Sequence, residues 1–123
     1  MTDLERFFRQ LVQTLAAADA ARLRQPIAVS EIPELMPYRT FRRALELESS
    51  EDYELVLLRL CAGEGGFART EPPELRANFQ AEIASPNPDL SVLESGASGE
   101  VTLSAPRVAL ALATTTEASR AYA

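Results

Sequence analysis

The chain has 123 residues, 46% of them hydrophobic, which suits one domain with a real core. It contains no run of eighteen apolar residues that would span a bilayer, and Met1–Gln10 sets Asp3, Glu5, Arg6 and Arg9 among Leu4, Phe7 and Phe8, unlike a signal peptide; a soluble, cytoplasmic protein without membrane contact is expected. With no histidine and one cysteine, the usual zinc sites, Ser-His-Asp and Cys-His arrangements, and a neutral-pH imidazole base are excluded within a single chain. Carboxylate-only chemistry, as a paired-acid enzyme or a hard-cation site, survives this filter.

The net charge is −6 and all twelve basic residues are Arg. Residues 1–43 hold seven Arg against five acids, a net +2, and residues 44–123 hold five against thirteen, a net −8. The halves are complementary, so the first-half arginines either pair inside the fold or face an anionic partner. Cys61 has apolar neighbours and reads as a buried small hydrophobe.

Residues 3–24 are expected to form the first helix. Leu4, Phe8, Leu11, Leu15 and Ala18 follow a heptad seam widened by Phe7 and Val12, with Thr2 as cap and Pro26 as stop. The seam is too short for an independent coiled coil, so it packs on the rest of the domain or on its twin in a second subunit. Residues 26–29 read as extended, and Ser30 as the cap of a short helix interrupted by Pro37.

In residues 38–47, helical spacing places Tyr38, Phe41 and Leu45 on one side and Arg39, Arg42, Arg43 and Glu46 on the other. Ser49 and Asp52 form a capping-box pattern that opens a central core helix running to about Ala62, enclosed on nearly all sides. Gly63–Gly66 is a helix stop; it lacks the lysine and hydroxyl of a phosphate loop and follows a helix rather than preceding one. A further helix is expected from Pro72-Pro73 to about Ala84, with Leu75, Phe79 and Ile83 as its buried line. Asn87-Pro88 begins a short turn or helix, and residues 95–99 read as a flexible boundary.

Val101, Leu103 and Ala105, then Val108, Leu110 and Leu112, alternate with the period of strands, predicting a hairpin that turns near Ala105-Pro106. Residues 114–123 read as a tail or a last short helix capped by Thr114 with Glu117. The expected fold is mainly α, four to five helices around a central buried helix, with a small C-terminal β-hairpin. A single domain is expected, helical over 1–95, with the 96–123 hairpin and tail packed on it.

No catalytic, cofactor-binding or metal-ligating residue is assigned. The acidic run Glu46, Glu48, Glu51, Asp52 and Glu54 does not match a calcium loop and is explained by capping and dipole compensation. The candidate interaction residues are Tyr38, Arg39, Phe41, Arg42 and Arg43, with the seam Leu4, Phe8, Leu11 and Leu15. The first expectation is that these aromatics are core and the arginines pair with Glu46, Glu48, Asp52 or other acids; otherwise arginines interleaved with aromatics suit a protein interface, or stacked bases and phosphates. The chain reads as a non-catalytic interaction or adaptor module, with a homodimer or another protein as partner. Anion or nucleic-acid binding through Arg39, Arg42 and Arg43 is the alternative, disfavoured by the net charge. A carboxylate-dependent enzyme or metal-bound domain is the third reading.

Overall fold

The computed structural model describes the backbone of residues 2–121 and the side chains of residues 2–113. Among the described residues there are seven α-helices and a three-stranded antiparallel sheet. The fold is thus mainly α with minor β.

Helix α1 (Asp3–Ala18) begins where the Thr2 hydroxyl accepts the Glu5 N–H at 3.1 Å. It ends at Ala18, six residues short of the expected end at residue 24. Asp19 is extended and its carboxylate accepts the Ala21 N–H, restarting the chain as a 3-10 turn over Ala20–Arg24. A short acidic side chain competes with the helix for backbone donors, and here it splits one apolar pattern into two pieces. Leu4, Phe7, Phe8, Leu11, Val12 and Leu15 are all buried.

Strand β1 (Ile27–Ala28) leads into α2 (Glu31–Leu35), and α3 (Tyr38–Leu45) follows Pro37. Ser30 lies at the start of α2 but makes no side-chain cap bond. Helix α4 (Ser50–Cys61) opens with the Ser49 hydroxyl accepting the Asp52 N–H at 3.1 Å, and buries Tyr53, Val56, Leu57, Leu58, Leu60 and Cys61. It packs on α1, α3 and α5, so α1 and α4 share the centre of the core.

Gly63 ends α4 with φ 85°, a left-handed conformation that costs glycine little. The last α4 carbonyls are satisfied from a distance. The Thr70 hydroxyl donates to the Cys61 carbonyl at 2.6 Å, and Gln80 Nε2 donates to the Ala62 carbonyl at 3.1 Å. These bonds tie α4 to strand β2 (Ala68–Glu71) and to helix α5 (Pro73–Ile83).

The expected hairpin is corrected. Strand β3 (Glu100–Leu103) is present, but residues 105–112 belong to helix α7 (Ala105–Ala121). Pro106 sits in the first turn of a helix, where its missing N–H is harmless, and the alanines around it favour that state. Val108 and Ala111, three residues apart, are buried while Leu110 is 62% exposed, which is helical periodicity rather than alternation. Residue 114 lies within this helix; the expected Thr114 and Glu117 cap falls outside the described side chains.

The partners of β3 come from elsewhere in the chain. The sheet order is β1-β3-β2, with Ile27 opposite Val101 and Thr70 also opposite Val101 on the other side. Residues 95–99 form part of this framework and not a loose boundary. Helix α6 (Val92–Ser95) precedes them, the Val29 N–H donates to the Gly99 carbonyl at 2.9 Å, and the Ser30 N–H to that of Ala97 at 3.2 Å. Gly99 also lets helix α5 pack closely here, because a Cβ there would lie 2.1 Å from Leu75 Cδ2.

Candidate interaction surface on the third helix

Helix α3 is held at both ends. At its start the half-buried Tyr38 ring meets Tyr53 edge-on, with centroids 5.8 Å apart, and its hydroxyl donates to the Leu47 carbonyl at 3.3 Å. Tyr53 is fixed in turn, its hydroxyl donating to the Met36 carbonyl at 2.6 Å and its ring packing on Phe7. Burial pushes the Tyr53 phenol up to about 12, so it keeps its proton, and this bond, well into the alkaline range.

At the C-terminus Glu46 adopts a left-handed conformation, φ 55° and ψ 40°, and the Leu47 N–H donates to the Arg42 carbonyl at 3.1 Å. Arg6 of α1 reaches across this end. Its Nε donates to the Leu45 carbonyl at 3.3 Å, and its guanidinium meets Glu46 and Asp3, each at 3.1 Å. A cation against the terminal carbonyls complements the helix dipole. Arg6 was not among the sequence candidates, because it lies on the polar side of α1 with Asp3, Arg9, Gln10 and Gln13, where no pattern marks it out.

The face that α3 turns inward carries Leu45, buried, with Tyr38 and Phe41 packed against the core. Arg39, Arg42 and Arg43 are exposed. The expected neutralisation by Glu46, Glu48 and Asp52 does not occur. Among the described residues none of the three arginines forms an ion pair or side-chain hydrogen bond. Glu46 is diverted to Arg6 by the left-handed turn. The other arginine pairs join Arg22 to Glu31, Arg59 to Glu64, and both Arg69 and Arg76 to Glu71.

Arg42 and Arg43 share an open depression of about 500 Å³ with Tyr38, Leu47, Glu46 and Glu48. The carboxylates of Glu46 and Glu48 stand at the edge of the basic face, so the surface is of mixed sign. The other candidate residues sit apart from it. Leu4, Phe8, Leu11 and Leu15 are taken up by the chain's own core, each at most 3% exposed.

Cys61 is fully buried and its thiol is pushed up to about 12 by desolvation, leaving almost no thiolate at neutral pH. Among the described residues no group of three or more His, Cys, Asp or Glu is placed to hold a metal ion, and no helix is long and apolar enough to cross a membrane. No family model, curated protein or solved structure matches this chain significantly.

Proposed function

We propose that the protein is a small non-catalytic interaction or adaptor module, and that the outward face of α3 meets a carboxylate-bearing protein surface. One observation carries this reading: among the described residues, Arg39, Arg42 and Arg43 are exposed and without an ion-pair partner, on a helix anchored at both ends. Three arginines without an ion pair among the described residues, in a chain of net charge −6, are available to an anionic partner without breaking a described pair. Arginine beside a tyrosine ring is a composition favoured at interface hot spots.

A second copy of the chain, itself acidic, is one such partner, and self-association is part of the proposal. Nucleic acid is disfavoured because the chain's net charge of −6 repels a polyanion. A single buried thiol suits a reducing compartment, and the cytoplasm is the proposed location.

The test compares the wild-type chain with the charge-reversed variant R39E/R42E/R43E. Quantitative capture from the native cell is expected to yield a protein that the variant loses, with unchanged circular dichroism. Identical capture by both chains would refute the α3 surface. Sedimentation showing only monomer at tens of micromolar would remove self-association, and an arginine-dependent gel shift at low salt would favour the anion-binding alternative.

A further inference from the structure

A separate cleft of about 370 Å³ opens between α2, α4 and α6, within the size range of small-ligand sites. Its floor is apolar and buried, formed by Val29, Tyr53 and Leu57, with Pro33 and Leu93 as walls. The Tyr38 and Tyr53 rings meet edge-on along it, at an interplanar angle of 66°. The Tyr53 hydroxyl is already committed to the Met36 carbonyl and its ring packs on Phe7 and Tyr38, so Tyr53 offers the cleft only the small apolar part of its ring left uncovered.

The charge at the mouth is of one sign. Glu54 from α4 and Glu94 from α6 line the cleft, and no arginine does. Among the described residues neither carboxylate enters an ion pair or side-chain hydrogen bond. An apolar floor, two aromatic rings and two uncompensated carboxylates complement a molecule with an apolar body and a positive head. An anion would meet repulsion there, and a neutral apolar molecule would leave both charges unused.

We propose that this cleft binds a small amphipathic cation, an apolar and preferably aromatic amine, with its ring on Tyr53 and Leu57 and its ammonium between Glu54 and Glu94. The cleft shares Tyr38 with the arginine-lined depression but has the opposite charge preference. It stands whether or not α3 is an interaction surface.

The test uses three probes with one ring system: tryptamine, neutral 3-methylindole and anionic indole-3-acetate. The chain has no tryptophan, so indole fluorescence anisotropy reports the probe alone. Tryptamine is expected to bind saturably, about tenfold more tightly than 3-methylindole, with indole-3-acetate weakest. The E54Q/E94Q variant is expected to bind tryptamine and 3-methylindole equally while keeping the affinity for the neutral probe. The R39E/R42E/R43E variant is expected to keep saturable tryptamine binding, at an affinity no lower than wild type because the reversal adds negative charge. No saturation by tryptamine up to about 10 mM, equal affinity for cation and anion, or unchanged tryptamine binding in E54Q/E94Q would each overturn the proposal.

Discussion

Replacing Thr70 by valine isolates the bond that joins the end of α4 to the sheet. Thr70 is 0% exposed and its hydroxyl donates to the Cys61 carbonyl at 2.6 Å. That carbonyl belongs to the last turn of α4, which has no further helical N–H to accept from, and Cys61 is itself 0% exposed. Valine keeps the branched shape and suits a strand. It leaves the carbonyl without a donor and without water, which costs about 2 kcal/mol. For a domain of this size the expected fall in Tm is roughly 6 to 10 °C.

Serine at the same position keeps the hydroxyl and loses one methyl group, for about 1 kcal/mol. Urea denaturation of both variants therefore reads the bond against the packing. T70V is expected to have the lower midpoint at unchanged m-value. The reasoning fails if T70V lies within about 0.5 kcal/mol of wild type, or if T70S proves the less stable of the two.

Alkaline stability should report the two buried acids. Cys61 rises from 9.0 and Tyr53 from 10.0, both to about 12, so the unfolded chain releases protons that the native chain retains, and stability falls as pH rises above 9. The slope is expected to reach about 1.4 kcal/mol per pH unit for each group; C61A should flatten the pH 9–10 segment of a denaturation series, and an unchanged slope would contradict a buried, protonated thiol. Substituting Glu46 by glycine relieves the left-handed strain at φ 55° and loses only an exposed pairing with Arg6. A gain of about 0.5–1 kcal/mol in chemical denaturation is expected, and a loss would mean that the Arg6 contact outweighs the strain. Gly99→Ala forces a Cβ to within 2.1 Å of Leu75 Cδ2, and thermal melts should show destabilisation of about 1–3 kcal/mol.

The candidate surface was partly legible. Spacing alone put Tyr38, Phe41 and Leu45 opposite Arg39, Arg42 and Arg43, because side-chain direction on a helix follows from its pitch. Whether those arginines are paired depends on where Glu46, Glu48 and Asp52 come to lie. The left-handed turn at Glu46 and the approach of Arg6 from α1 decide that, and neither is encoded near residue 40. The carboxylate-lined cleft was invisible in the sequence, since Glu54 and Glu94 lie on helices brought together only by folding.

By itself, the sequence determined the features whose physics is local: the caps at Thr2 and Ser49, the glycine stop at Gly63, the apolar stripes of α1 and α4, and the net charge. Each rests on groups within a few residues of one another. Tertiary structure decided what is shared between distant segments. It chose the strand partners of β3 from residues 27–28 and 68–71; the short strand Ala68–Glu71 gave no periodic signal of its own. It resolved the apolar pattern at 105–112 as a helix, because period-two and helical readings of a short Ala-rich run differ only in which residues find a surface to bury against. Val108 and Ala111 found one, and Leu110 did not.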